Sequence, residues 1–329
     1  MGKAVTTVPV FEHPLPIARY RFTAVVQQPL QLPDYAGSLL RGQFGAALRQ
    51  VACMTRQPTC TGCPLLQTCP YTRIFEAPPP AKGQHALQNF SQIPNPYVME
   101  PPAPGARLLQ AGEPLVFHMV LIGHAIDQLA LILFALQRAL AHGLTRQRVP
   151  AELLHVHCLD AAGMAQPVWS REQPALTEHA AALHAPAAPS GLRALTLHIH
   201  TPLRLQQQGR PLGVSELTPR SLVAALARRI ALLMEFHAGQ PSWGEAARVA
   251  AHLAEKGLSD QRDLRWHDWT RYSSRQQQEM TLGGVLGQWT LNGSSETLTT
   301  LWPWLWLGQW LHAGKNATFG LGGYTLEGG

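Results

Sequence analysis

Three groups of residues in this chain have the types and spacing to do chemistry. HAGKNATFGLGGY, from His312 to Tyr324, sets glycines around a lysine and an aromatic ring. Glycine serves where backbone must take unusual angles or let another backbone come very close. With Lys315 among them, exposed N–H groups would suit an anion such as phosphate; a plain hairpin or barrel corner is the alternative. The second group is CMTRQPTCTGCPLLQTC, which holds Cys53, Cys60, Cys63 and Cys69. A C-x-x-C with one further cysteine on each side has the spacing of a tetrahedral thiolate zinc site. Four thiolates leave no open coordination position, so such a zinc is structural and no catalytic metal is expected. Disulfides are the other use of the same cysteines. The third group is RYSSRQ, with Arg271, Tyr272, Ser273, Ser274 and Arg275 in succession. Strand alternation would put Arg271, Ser273 and Arg275 on one face, a surface for phosphates and sugars; a solvated edge strand is the plainer reading.

Other polar and aromatic residues read as structure. His155 and His157 alternate in one strand pattern, as do His198 and His200 in another, and without a carboxylate pattern nearby they read as sheet-surface residues. Trp302, Trp306 and Trp310 recur every fourth residue, an apolar helix stripe. Cys158 sits in an apolar strand pattern and reads as core.

The elements that must position these groups form two similar halves. ARYRFTAVVQQPLQL is strand-like, and DYAGSLLRGQFGAALRQ after it is helical, with Asp34 as a plausible cap. NPYVMEPP, EPLVFHMVLIGHA, a helix from about Ile126 to His142, and the strand ELLHVHCLD complete the first half. In the second, RALTLHIHTPLRL is a strand and SLVAALARRIALLMEF a helix capped by Thr218 with Pro219. TRYSSRQ and MTLGGVLGQWTLNG follow as strands, then a Trp-rich helix with Pro303 in its first turns, then ATFGLGGYTLE. Each half reads strand–helix–strand–strand–helix–strand. The expectation is an α+β protein of tandem ferredoxin-like (RRM-like) domains with the cysteine loop inserted in the first. The boundaries are 1–160 for the N-terminal domain with its loop at 53–69, 161–191 for an exposed Ala- and Pro-rich linker, and 192–329 for the C-terminal domain.

The chain has 329 residues, enough for two cores, and 26 basic against 20 acidic residues give +6. This mild preference for polyanions fits a nucleic acid partner without requiring one. The most apolar stretch, AIDQLALILFALQRALAHG, is broken by Asp127 and Arg138 and reads as a buried helix, not a membrane span. No secretion signal pattern is present, so a cytoplasmic protein with reduced cysteines is expected.

Taken in order, these motifs resemble the RAMP superfamily of CRISPR-associated proteins. His312 to Gly314, a five-residue spacer, then Gly320 to Gly322 fit its glycine-rich loop, with His312 where the first glycine would stand. Within that superfamily the chain resembles the CRISPR RNA-processing endoribonucleases through LLRGQFGAALR, CPYTRIFE, PYVMEPP, GEPLVFHMVLIGHA, TPLRL, RRIALL and RYSSRQ. The resemblance runs from about Arg19 to Glu327. It implies binding of CRISPR repeat RNA, one cut per repeat, and attack by a ribose 2′-hydroxyl that leaves a 2′,3′-cyclic phosphate without a metal. Other CRISPR effector subunits are further implied partners. Gly314, Gly320 and Gly322 would then let an RNA backbone approach, Lys315 would neutralise a phosphate, and Arg271, Tyr272, Ser273 and Arg275 would hold RNA. His312 is the first candidate for acid–base work, against the plainer role of capping the preceding helix. In many relatives that histidine lies in or beside the first helix. Here Tyr35 to Gln50 contains none and offers Tyr35, Arg41 and Arg49. Arg41 would project toward the cleft between the halves, or form a structural ion pair. Of Arg228 and Arg229, one would contact RNA and the other stay surface charge. Two rivals share these features: a RAMP subunit that holds guide RNA without cutting, and a zinc-stabilised protein-interaction domain.

Overall fold

The computed structural model describes residues 11–80, 93–273 and 278–329. The first half contains β1 (Ile17–Val26), β2 (Leu30–Leu32), α1 (Gly37–Ala52), α2 (Pro70–Phe75), β3 (Tyr97–Glu100), β4 (Arg107–Leu109), β5 (Pro114–Ile122), α3 (Leu129–His142), β6 (Ala151–Leu159) and β7 (Ala165–Ser170). The second contains β8 (Ala194–Leu203), β9 (Gln206–Gln207), β10 (Arg210–Pro211), α4 (Pro219–His237), α5 (Gly244–Gly257), β11 (Leu258–Ser273), β12 (Gln278–Gly293), α6 (Ser295–Leu311) and β13 (Tyr324–Gly328). The protein is mixed α+β with antiparallel sheets. The main sheets run β3-β5-β1-β6-β7 and β11-β12-β8-β13, with short ribbons β2-β4 and β9-β10 beside them. Setting β7 aside, each main sheet places its four strands, numbered as they occur along its own half, in the spatial order second, third, first, fourth.

Period-two alternation explains why each sheet has one covered face. Along β1, Tyr20, Phe22, Ala24 and Val26 are buried, while Arg19, Arg21 and Thr23 are half-buried on the opposite side. The buried set joins Leu40, Phe44 and Leu48 of α1 and Ile132 and Leu136 of α3 in one core. In the second half Leu195, Leu197 and Ile199 of β8 meet Leu226 and Ile230 of α4 and Leu305 of α6. That second core also takes in Ile17, Val98, Val120 and Ile122 from the first sheet, so apolar burial fuses the halves.

Several local expectations change. Helix α1 starts at Gly37 with Ala36 at its cap position, not Asp34. Thr218 caps α4 as expected, accepting from the Ser221 N–H at 3.1 Å. Ser294 caps α6 earlier than its apolar run suggests, which leaves Pro303 inside the helix. The stretch expected as an exposed link carries β7, whose Val168 and Trp169 are buried against β6. Leu183 in the same stretch exchanges backbone hydrogen bonds with Leu15. Strand β11 begins well before TRYSSRQ and pairs with β12 along their whole 16-residue lengths. Its alternating charges hid it, because neither face is uniformly apolar over that length. Trp302, Trp304, Trp306 and Trp310 are all buried.

Candidate functional site

The seam between the halves gathers most of the titratable side chains of interest. From the first sheet come Arg19 on β1, His118 on β5 and Glu100 at the end of β3. From the second come His200 on β8 and His312, the residue after α6. Arg19 donates to Glu100 Oε1 at 2.9 Å and to the Gln309 carbonyl at 2.9 Å, with its guanidinium 4.3 Å over the Trp310 ring. His312 donates through Nε2 to Glu100 at 3.1 Å and through Nδ1 to the Leu321 carbonyl at 3.2 Å. Both partners are acceptors, so only the doubly protonated ring satisfies both bonds. Burial by itself would raise the Glu100 carboxyl, but Arg19, His312 and His118 outweigh it and hold the group at about 2.

His200 lies beside this charged knot. A Cβ on Gly323 would sit 2.8 Å from Cε1 of both His200 and His312. His312 is buried, whereas His200 is exposed. Burial of its ring, then His312 and Arg19, push His200 below the ordinary imidazole range against the pull of Glu100. The same happens to His118, through burial and then Arg19 and Arg21, against the pull of Glu100. Both rings are therefore neutral proton acceptors at neutral pH. Arg21 stands opposite His118 across one register and opposite His157 across the other. A His118–Arg21–His157 row thus crosses the open face of the first sheet, with His155 beside it on β6.

The glycine loop is fixed by protein contacts. It passes through the short helical turn Ala317–Phe319, flanked by Asn316 and Gly320 in left-handed conformations. Thr201 donates its hydroxyl to the Gly320 carbonyl at 2.8 Å and accepts from the Gly323 N–H at 2.7 Å. At φ +84° a Cβ on Gly320 would lie 2.5 Å from the Met99 carbonyl. On Gly322, at φ +71°, it would meet the Ala313 carbonyl at 1.8 Å, and on Gly314, at φ +79°, the Arg204 carbonyl at 2.5 Å. The backbone that approaches these glycines is this chain's own, not the RNA expected there. Lys315 alone of the loop is exposed.

A model of the CRISPR-associated endoribonuclease Cas6 matches residues 197–324, and a model described as an N-terminal domain matches residues 15–181. The second half of the chain therefore carries a Cas6-family domain. Among solved structures the chain is similar to a Thermus thermophilus Cas6, at 18% identity and TM-score 0.53, covering 96% of this chain and 99% of that one. A Cas6 product complex gives 19% identity and TM-score 0.57, with 96% and 100% coverage. A chain of a partial Cas6-RT-Cas1–Cas2 complex gives 14% and 0.54, with 96% of this chain matched to 46% of that one. These likenesses show the fold. No curated protein matches the sequence. Among the described residues no helix is long and apolar enough to cross a membrane.

In the folded chain the sequence-derived candidates part ways. Tyr35 is buried, donates its hydroxyl to the Phe319 carbonyl and stacks on Trp269 with ring centroids 4.3 Å apart. Burial, then Glu100, raise its phenol well above the usual range, so it pins the glycine loop and is a poor proton donor. Arg41 does reach the boundary between the halves, its guanidinium 4.1 Å from the Phe75 ring and 4.4 Å from the Phe319 ring. Arg229 donates to the Leu311 carbonyl at the end of α6, and burial lowers it to about 10; Arg228 is exposed. Arg271, Tyr272 and Ser273 fall in the last turn-ward residues of β11, while Ser274 and Arg275 lie outside the described residues. Cys53, Cys60, Cys63 and Cys69 line one small cavity. Among the described residues no three His, Cys, Asp or Glu groups stand at metal-holding distance. Sequence reasoning missed Glu100, His118 and Arg21, and it set His200 aside with His198. The available signal was polar residues at alternate positions of otherwise apolar strands.

Proposed function

We propose that this chain, built as tandem ferredoxin-like units, binds CRISPR repeat RNA and cuts it by metal-independent attack of a ribose 2′-hydroxyl on the adjacent phosphate. The observation that carries this reading is His200: an exposed, neutral imidazole held beside the Arg19 guanidinium and the His312 ring at the seam. His200 takes the proton from the 2′-hydroxyl as its oxygen bonds to phosphorus. The P–O5′ bond breaks, and the 5′-oxygen takes up the proton that His200 accepted, directly or through water, which returns the imidazole to its neutral form and gives a cyclic phosphate and a free 5′-hydroxyl. Positive charge at the seam opposes the negative charge that develops on the phosphorane. The His118–Arg21–His157 row supplies donors and a fixed cation for the backbone of the strand entering the seam.

A second reading, a RAMP subunit that holds guide RNA without cutting, is favoured by two observations. α1 has no histidine and His312 is buried with both ring nitrogens engaged. Incubating the protein with its own repeat RNA in EDTA, with the fold followed by circular dichroism, separates the two. One cut with a cyclic phosphate end, abolished by a 2′-deoxy substitution just upstream, supports the nuclease. Tight binding of intact RNA by folded protein supports the holding subunit.

A further inference from the structure

We propose that Cys53, Cys60, Cys63 and Cys69 bind one zinc ion, and that this zinc braces α2 as one wall of the clasp that Arg41 makes with the second half. The four cysteines come from different places in the chain to line one cavity. Cys53 ends α1 and Cys69 precedes α2, at its cap position. Cys60 and Cys63 flank a turn closed by the Cys63 N–H to the Cys60 carbonyl at 3.2 Å. All four line a cavity with room of about 10 Å³, whose wall also includes Leu65 and Tyr71. All four are free thiols.

Inside the loop the Leu66, Thr68 and Cys69 N–H groups close turns onto the Cys63 and Leu65 carbonyls, and Cys60 and Cys69 pack against the first core. Between Ala52 and Pro70 the loop contains no helix or strand, and Met54 points outward at 84% exposure. Side-chain hydrogen bonds hold its rim. Arg49 donates to the Gln57 and Pro58 carbonyls at 2.6 and 2.8 Å, and the Thr72 hydroxyl donates to the Leu66 carbonyl at 2.6 Å. The Thr55 hydroxyl lies 3.9 Å from Cys53 Sγ and 3.6 Å from Cys63 Sγ, placed to donate to a thiolate as an outer partner. Zinc–sulfur bonds of about 2.3 Å in a tetrahedron bring sulfurs to roughly 3.8 Å from one another. Binding therefore draws the four side chains inward around the cavity they already share. Each sulfur that binds gives up its proton, and the closed thiolate set leaves no position for a substrate.

What the metal would steady follows from α2. It is only 6 residues long, too short to persist unaided. Its Phe75 stacks with Tyr97 at 6.0 Å between centroids and fills the space left by the missing side chain of Gly45. Arg41 lies between that ring and Phe319 of the glycine loop. Anchoring Cys69 therefore anchors one wall of the contact between the halves.

Metal analysis of the full-length protein, purified under reducing conditions and without a metal-affinity step, should give one zinc per chain. Cobalt in its place should show intense thiolate charge-transfer absorption. Cys158→Ser, buried in the first core, should keep the metal; Cys60→Ser and Cys63→Ser should lose it. Zinc near zero in the reduced wild type overturns the site, as does mass spectrometry showing these cysteines joined in disulfides. Because the cysteine variants can fail to fold, the bracing role is read on wild type. Stripping zinc with a chelator should speed amide exchange across α2 and the Arg41 turn of α1 while β1 and β8 stay protected. Unchanged exchange in α2 after complete zinc removal overturns the bracing role.

Discussion

The two main sheets share one strand order, yet their uncovered faces differ. On the first, Arg21 stands between His118 and His157, and burial by neighbours leaves both rings neutral. On the second, the Thr196 and Thr290 hydroxyls bond to each other at 3.0 Å and His198 meets Glu327 at 2.8 Å. The second face satisfies its own polar groups; the first holds a cation flanked by neutral rings. His200 makes the contrast sharper still. It sits two residues from His198 on the same side of β8 but faces His312, Glu100 and Arg19 across the seam, without the direct carboxylate hydrogen bond that His198 makes. Topology copied between halves thus leaves chemistry free to diverge, because a strand's outward residues are not constrained by the core.

The largest effect expected from this difference is on cleavage. His200→Ala should slow single-turnover cutting of repeat RNA by about 100-fold or more, the scale of losing a proton-transfer group, whereas His198→Ala should cut at nearly the wild-type rate. Equal rates for the two variants would erase the distinction between the histidines.

The seam itself gives the next effect, on stability. His237 of α4 donates to the Pro94 carbonyl at 2.7 Å and accepts from His124 at 3.0 Å, which requires its neutral form. Burial, reinforced by His124 and partly offset by the Pro94 bond, lowers it to about 4. An unfolded imidazole titrates near 6.5, so the unfolded chain binds the proton first. The stabilisation is full above about 6.5 and fades as pH falls toward the folded value, by on the order of 3 kcal/mol. Denaturant titrations between pH 7.5 and about 4.5 should show this slope, and His237→Gln should reduce it. His118, His124, His157 and His200 shift in the same direction and keep part of it. Glu100 acts in a lower window, stabilising above about 4.3 and losing that contribution only as pH falls toward 2. An unaltered slope in His237→Gln would show that this pair does not stay neutral in the fold.

Binding comes third. Arg21→Ala should weaken RNA affinity and make the log–log salt dependence shallower by about 0.7 if the contacted strand is single. Lys315→Ala should do the same from the exposed corner of the glycine loop. Thr196→Ala on the second sheet should change neither quantity, and the smallest expected effect is therefore none. If Thr196→Ala weakens binding while Arg21→Ala does not, RNA lies on the second sheet and the comparison is reversed.

The sequence by itself determined most of the strands and helices of the two halves, since these follow from the period of apolar residues along the chain, but not β7, α5 or the start of β11, whose patterns are mixed. It also determined the thiol cluster, whose ligands lie within one loop. The family resemblance was legible for the same reason, as motifs in order along a line. Tertiary structure alone decided which polar residues meet. Arg19 and Gln309, or Glu100 and His312, are brought together by the packing of one half on the other, and no local period records such a pairing. It also decided what the glycines are for. A small residue announces that something comes close, but whether that neighbour is RNA or the Met99 carbonyl depends on how two separately legible halves dock.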